Sequence, residues 1–527
     1  MSIGSANRQI ARAAGTVMLA FALSNLTGLV RQVLVSRAFG TGAEIDAFNA
    51  AARLPDLLFN LVAGGALASA FIPTCTGFLT REDRHGAWQL ASSVVNLVIL
   101  LLVGISALAA VFAPQVVRYG IYLLAPGLDP TQQALTVSLL RILLISPVIF
   151  GVSGLLMGML NAHQVFLLPA LAPTMYWLGM IFGVLALAPR WGIHGLAWGA
   201  VLGAGLHLGV QLPALGRIGG RYFATLGLRS KPVRQVARLM APRLFGVGIV
   251  QLNFLVNTML ASAQPQGSLT ALQIAWAVMT MPQVIIAQAI AIAALPTFSA
   301  QVARGRPEEM RASLAATLRG VILLSLPASL GLVLLRQPVV ALLFQRGEFD
   351  AHSTDLVAWA LLWYSAGLVG HALVEVLSRA FYAMQDTRTP VVIGAAAMSL
   401  NLVFSVGFSA LFNRLGWFPH GGLALGNSLA TALETIGLLF LMRARLKGLE
   451  GRRVLLGVGQ AVIASLLMAL GLWLWPNLVG DQPAWLAAGG GVALGGGVYA
   501  LAVLFVGVPE ARALLKWIER KLRKSIN

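Results

Sequence analysis

The sequence holds one cysteine, Cys75, among 527 residues. A single thiol excludes an intramolecular disulfide and any cysteine-based metal cluster. Charge is also scarce. Asp, Glu, Lys and Arg make up 10% of the chain, against roughly 25% in a soluble globular domain. The polar links between apolar runs are too short to fold as soluble domains. They offer no nucleophile motif, phosphate loop or zinc signature, and no acidic cluster beside a sizeable loop such as a membrane glycosyltransferase would need. The expectation is a chain that is not an enzyme and carries no cofactor. Apolar surface, by contrast, is abundant: 58% of the residues are hydrophobic and the mean hydropathy is +0.82. The chain therefore reads as an all-α polytopic membrane protein. Its 56 glycines suit close helix–helix packing in lipid.

Taking about 20 apolar residues as one span, fourteen stretches qualify. Six lie near 14–36, 47–79, 88–112, 135–160, 167–188 and 194–216. Six more lie near 238–262, 270–298, 314–335, 354–380, 389–412 and 421–443, and two follow near 454–475 and 484–508. The stretches 47–79 and 270–298 carry internal prolines and polar residues. Arg8 and Arg12 precede the first run without a convincing small-residue cleavage site, so that run is expected to be retained as a helix. The net charge of +19 invites a nucleic-acid partner, but the basic residues sit between apolar runs, as in cytoplasmic loops. Arg217, Arg221, Arg229, Lys231, Arg234 and Arg238 form one such link, and Arg304, Arg306 and Arg311 another. Arg443, Arg445, Lys447, Arg452 and Arg453 form a third, and the tail adds Arg512, Lys516, Arg520, Lys521, Arg523 and Lys524. All fall on one side if there are fourteen spans with both ends in the cytoplasm. The opposite links Gln264–Ser268 and Pro476–Gln482 carry no Lys or Arg.

The stretch Ser378–Gly394, SRAFYAMQDTRTPVVIG, reads as a tight cytoplasmic hairpin whose Pro390 opens the next helix. It has an echo in Asn161–Pro169. Ala162, Gln164 and Pro169 match Ala383, Gln385 and Pro390, each at an offset of 221 (383 − 162, 385 − 164, 390 − 169). Val116–Val117 matches Val339–Val340 at 223, and Gly195–Ala197 matches Gly422–Ala424 at 227. The pattern predicts one unit used twice, a plan common among transporters. The expected division is an N-terminal lobe at 1–223, a second lobe at 224–447, and two further helices with a basic tail at 448–527.

Three motifs carry a resemblance: AFGTGAEIDAFNAAARLPDLLFNLVAGGALASAFIP from Ala38 to Pro73, LLFQRGEF from Leu342 to Phe349, and RAFYAMQDTRTPV from Arg379 to Val391. Together they resemble the MurJ/MviN family of lipid II flippases, within the multidrug/oligosaccharidyl-lipid/polysaccharide exporter superfamily, over nearly the whole chain. The resemblance implies two six-helix lobes around a central cavity, with the last two helices forming a lipid-accessible groove. It implies a multi-pass protein of a bacterial cytoplasmic membrane. Its work would be to carry an undecaprenyl-pyrophosphate-linked peptidoglycan precursor to the outer leaflet by alternating access, as a monomer, with the membrane potential or a cation as coupling partner.

A charge deep in the bilayer is costly and so marks function. Arg31 in the first span matches a cavity arginine of the family and suits a pyrophosphate. Arg37 with Asp46, and Arg53 with Asp56, are expected as ion pairs around a gate. Family arginines from the first, second and eighth helices are replaced here by Asn25, by Phe59 or Asn60, and by Ala277, which leaves Arg31, Asn25, Asn60 and Arg53 to line the cavity. Asn257, Asn401 and Ser405 stand where some members bind sodium, with Asn427 and Thr431 nearby, and Glu434 is a candidate proton or cation site. Glu375 and Arg379, four apart, are expected to pair. Two alternatives to lipid II transport follow from the depleted arginines: an exporter of another polyprenyl-linked glycan or amphipathic cargo, and a non-transporting cell-envelope scaffold.

Overall fold

The computed structural model describes residues 3–62, 66–79, 81–122, 129–163, 165–479 and 483–507. The basic residues of the tail lie outside these. In the first half α1 spans Ile3–Phe39, α2 Ala43–Val62, α3 Ala66–Leu79, α4 Arg84–Val111, α5 Pro130–Leu143, α6 Ile145–Ala162, α7 Leu167–Phe182 and α8 Ile193–Gly209. Then come α9 Lys231–Ser262, α10 Ser268–Gln283, α11 Ala289–Ala303, α12 Pro307–Leu334, α13 Ala351–Ala366 and α14 Leu368–Ala383. The chain closes with α15 Arg388–Arg414, α16 His420–Arg445, α17 Gly451–Val479 and α18 Ala484–Val506.

Helices fall on each of the fourteen apolar stretches, and no strand occurs among the described residues. Ten are long and apolar enough to cross a membrane, or eleven with the pair α13–α14, which is bent by 46°. The protein is a multi-pass membrane protein. The stretch 270–298, whose prolines set it apart in the sequence, is interrupted by a π-helical segment, Val284–Gln288, just after Pro282 removes a helical N–H.

The repeat is visible in how helices end. Asp129 caps α5 by accepting from the Thr131 N–H at 3.0 Å, and Asp350 caps α13 by accepting from the Ser353 N–H at 2.8 Å. These two caps are 221 residues apart (350 − 129), as are the ends of α6 and α14 (383 − 162). The paired glycines recur too. Gly179 and Gly183 of the fifth stretch lie backbone to backbone with Gly199 and Gly203, and a Cβ at Gly183 would stand 2.6 Å from Gly199 Cα. Gly426, 227 residues after Gly199 (426 − 199), is pressed so closely on α15 that its Cβ would stand 2.8 Å from Ser405 N. Small residues let helices approach where lipid offers no hydrophobic drive.

By packing, the chain forms two compact units: Met1–Thr270 with Arg346–Phe349, and Ala271–Gln345 with Asp350–Asn527. In the first, α1 packs on α7, α2 on α5, α4 on α6, and α9 on α2 and α3. Packing thus places α9 with the first unit, whereas the repeat puts it at the head of the second copy. In the second unit α15 packs on α16, and α12 on α17 and α14, around Met310, Leu314, Val376, Phe381, Leu438 and Met442.

The RGEF motif joins the first unit through its backbone. The Glu348 N–H donates to the Arg37 carbonyl at 3.0 Å, satisfying one of the unpaired carbonyls at the end of α1. Gly40 (φ +57°) and Gly347 (φ +62°) take left-handed backbone conformations there, and a Cβ at Gly347 would stand 2.5 Å from the Arg37 oxygen. Only glycine meets both demands.

The hairpin at Gln385–Pro390 is a clip. Asp386 accepts from the Thr389 N–H at 3.0 Å and the Thr389 hydroxyl at 2.6 Å, which caps α15, and it pairs with Arg445 of α16 at 2.6 Å. Those bonds, the Thr389 hydroxyl first, then its N–H, with Arg445 adding, hold the Asp386 carboxyl below the usual carboxylate range. A carboxyl whose pKa is lower folded than unfolded stabilises the fold fully at neutral pH. That contribution fades as pH falls through the lowered value. Asp386→Asn should therefore be less stable than wild type near pH ~7, with the gap closing below pH ~3. Thermal unfolding of both proteins in detergent at the two pH values reads this. A gap that persists in acid would remove the charge from the explanation.

Candidate functional site

The candidate cavity residues lie in the first unit on α1 and α2, with α6, α7 and α8 supplying the wall behind them. Arg31 is half-buried on α1, with its guanidinium carbon 4.8 Å from the centre of the Trp177 ring on α7. One Nη donates to Gln32 at 2.7 Å, while its buried Nε has no partner among the described residues. The cation therefore rests on an aromatic face, an attraction of about 0.5–2 kcal/mol, and keeps donor capacity. Asp56 on α2 is exposed and lies in the field of both Arg53 and Arg31.

Behind Arg31 runs a chain of rings. Trp177 packs on Tyr176 at 4.9 Å, Tyr176 on Phe150 at 5.1 Å, and Phe150 on both Phe59 at 4.8 Å and His207 at 5.2 Å. Phe59 is thus committed to ring packing. Asn60 folds back on its own helix, donating to the Asp56 carbonyl at 2.9 Å. Asn25 is exposed on α1 and makes no hydrogen bond among the described residues. Deeper, Gln211 donates to the Ser153 hydroxyl at 2.7 Å, and Ser153 meets His207 Nδ1 at 2.6 Å. His207 is thus a hydrogen-bonded core residue.

The arrangement offers an anion one cation with free donors, a second arginine nearby, and a large apolar wall. The aromatic wall is what sequence reasoning missed. Trp177 sits in an apolar run where nothing local separates it from a lipid-facing tryptophan, and only the packing of α7 on α1 brings it to Arg31.

The expected ion pair of Arg37 with Asp46 is not formed. Asp46 is buried and spends both oxygens on the first turn of α10. It accepts from the Gly267 N–H at 2.7 Å, the Thr270 N–H at 2.9 Å and the Thr270 hydroxyl at 2.5 Å. Asn49, one turn along α2, donates to that same hydroxyl at 3.0 Å. The physical reason is the choice of partner. A helix N-terminus offers several aimed donors and a positive dipole end, and Asp46 also stands in the first turn of its own helix. Arg37 is exposed, and its carbonyl accepts from the Glu348 N–H.

Asn401 is buried on α15, and its side-chain oxygen accepts from Ser405 at 2.9 Å. Asn257 belongs to α9 in the other unit. Glu434 on α16 is half-buried without a hydrogen-bond partner among the described residues, and Gly394 leaves it room, since a Cβ there would stand 3.3 Å away. Gly394 is seven residues before Asn401, about 10 Å along α15, so Glu434 stands apart from the Asn401–Ser405 pair. The Asn427 side-chain oxygen accepts from His371 Nε2 at 3.1 Å, beside Trp276. Glu375 and Arg379 pair as expected.

Comparison with known proteins adds a family. The family model described as lipid II flippase MurJ matches residues 35–488. A lipid II flippase MurJ of Burkholderia cenocepacia is 32% identical over 431 residues, 80% of this chain and 82% of that protein. A probable lipid II flippase MurJ of Vibrio cholerae is 29% identical over 420 residues, covering 78% of this chain and 79% of the relative. Among solved structures, an inward closed conformation of lipid II flippase MurJ superposes with a TM-score of 0.78 at 22% identity, over 95% of this chain and 99% of that one. An inward-facing multidrug resistance MATE family transporter of the MOP superfamily gives 0.67 at 17% identity, over 81% and 96%. Both structural matches speak to the fold.

The Asp46 cap makes its own prediction. Asp46→Ala leaves buried N–H groups without an acceptor and should cost roughly 2 kcal/mol of stability, whereas Asp46→Asn keeps one acceptor and should cost about half. Denaturant unfolding in detergent measures both. Equal stability of all three proteins would mean that the cap contributes nothing.

Proposed function

The chain belongs to the MurJ family of lipid II flippases, and from that membership we infer how its residues serve the flipping of a lipid-linked peptidoglycan precursor from the inner to the outer leaflet. The family is one of transporters, and no covalent bond need be broken here. The site observation that supports the reading is Arg31, a cation with unspent donors on an aromatic face. Guanidinium donors match phosphate oxygens in pairs, so Arg31 is the residue to hold the cargo's pyrophosphate, with Arg53 adding field. Asp56, between the two arginines, would restrain them until an anion takes its place. The ring wall from Trp177 to Phe59 gives the sugar and lipid parts a face without competing charge.

The lobes of the transport cycle would be 1–223 and 224–447, with 448–527 as the C-terminal pair and tail, a partition that rests on the repeat. On this reading both termini lie in the cytoplasm, which the basic links support, and the protein works as a monomer in a bacterial inner membrane. Arg37, Asp46 and Asp56 would be gate residues, Asp46 through its hold on α10. Glu434 is the candidate for coupling to a cation or to the membrane potential. One observation favours a second cargo. With Phe59 in a ring stack and Asn60 bonded to its own helix, the site has fewer cations than the resemblance to the family implies. A less anionic polyprenyl-linked glycan would suit it.

Complementation separates these. In a bacterium depleted of its own lipid II flippase, the wild-type chain should restore growth, Arg31→Lys should restore it partly, and Arg31→Ala should lose at least about tenfold in viable count, the scale of one charge-assisted hydrogen bond. Failure of the wild type, with the protein confirmed in the membrane, would turn the reading to the less anionic cargo.

A further inference from the structure

The link between α8 and α9 carries a built feature that the flipping of cargo leaves unused. From Arg221 to Gly227 the chain has no helical or strand pairing, yet it is held along α4 at Tyr222, Phe223 and Thr225. Asn96 of α4 donates to the carbonyls of Phe223 at 3.2 Å and Thr225 at 2.9 Å, and accepts from the Tyr222 hydroxyl at 2.9 Å. One turn away, Ser92 accepts from the Phe223 N–H at 3.0 Å. His85 packs edge-on against the Phe223 ring at 4.9 Å, and Arg234 donates to the Leu228 carbonyl at 3.0 Å. The segment is a strap fastened at both ends.

Its two faces differ. Phe223, Thr225 and Gly227 are partly covered, while Tyr222, Ala224, Leu226 and Leu228 alternate with them on the open side. Tyr222 is 69% exposed and Leu228 60%. An extended chain sends alternate side chains to opposite faces, so the outward face is apolar and the inward face is spent on α4. Around it stand Arg217, Arg221, Arg229, Lys231, Arg234 and Arg238, with no acidic residue from 217 to 238.

Helix α4 measures the depth. Ser92 lies 19 residues from the end of the helix at Val111 (111 − 92), or about 28 Å at 1.5 Å per residue, close to the ~30 Å of a bilayer's hydrocarbon layer. The strap therefore runs where hydrocarbon gives way to headgroups, the level that favours tyrosine and basic residues. An apolar face at that depth, on a segment that carries six cations and no acid, with Glu82 and Asp83 near the start of α4 as the acids closest in the chain to its contact at His85, fits lipid better than an acidic protein or a nucleic acid.

We propose that Arg221–Arg229 is an interfacial strap that binds the anionic face of the cytoplasmic leaflet, seating Tyr222, Leu226 and Leu228 in the hydrocarbon boundary and Arg221 and Arg229 on lipid phosphates. The side of the membrane rests on the topology assigned above from the basic links. Lipid binding by the strap needs no cargo, so it is measured independently of transport.

The test places a bimane label on Leu228→Cys in the full chain, with wild type, whose Cys75 is buried, as the blank. The protein is reconstituted in phosphatidylcholine vesicles with and without phosphatidylglycerol. Quenching by lipids spin-labelled near the headgroup should exceed quenching by aqueous iodide. In phosphatidylglycerol vesicles, Arg221→Gln and Arg229→Gln should each raise iodide access by up to roughly fivefold, the factor one basic residue contributes near an anionic leaflet. Without phosphatidylglycerol the same substitutions should change little. Asn96→Ala, which unfastens the strap, should raise iodide access in both. Dominant iodide quenching of the unsubstituted strap would overturn the proposal by showing a face turned to water. An arginine effect indifferent to phosphatidylglycerol would overturn the anionic partner.

Discussion

Inside a bilayer no water stands ready to bond a free N–H or carbonyl, so a chain that crosses it many times is constrained above all at its helix ends. In this protein those ends are met by groups brought from elsewhere. Asp46 takes the first N–H groups of α10. The Glu348 N–H takes a last carbonyl of α1. Arg311 donates to the Leu446 carbonyl just past α16 at 2.6 Å, and Asp386 caps α15 while holding Arg445. The motifs that set this chain apart as a sequence, the GTG and RGEF segments and the QDTRTP hairpin, sit at such ends. Their chemistry is that of closing a helix without water.

The same constraint explains how so little charge is spent. Eighteen acids serve 527 residues. Asp46, Asp129, Asp350 and Asp386 are helix caps, and Glu375 balances Arg379. Of the charges proposed above for transport, Arg31 lies over Trp177, Asp56 lies in the field of Arg31 and Arg53, and Glu434 is half-buried on α16. On the proposed reading, few cations against a long aromatic wall would hold an anionic headgroup by a small number of directed bonds and let the rest of an amphipathic cargo slide past. Weak, few-point binding suits a carrier, which has to release what it takes up.

Much of this was legible residue by residue, and some was not. Each apolar stretch formed helix because length and hydropathy are local properties. The hairpin around Gln385–Pro390 formed because Asp386 and Thr389 are three apart and need no distant partner. Glu375 paired with Arg379 because one helical turn brings them together. The pairing of Arg37 with Asp46 failed because proximity in the chain says nothing of a better partner more than two hundred residues on. Trp177, the platform of the site, carried no local mark.

By itself, then, the sequence determined that this is a helical membrane protein and where its helices run, and it carried the spacings of a repeated unit. All of these depend on composition, period and spacing within a few turns. Only the tertiary structure decided that Asp46 holds α10 rather than Arg37, that Arg31 lies on Trp177, and that Asn96 fastens the strap at Phe223 and Thr225. Those contacts join residues separated by between 127 and 224 positions, or bring together neighbouring helices at one depth. Such bonds form only after the helices have packed, and no local pattern encodes them.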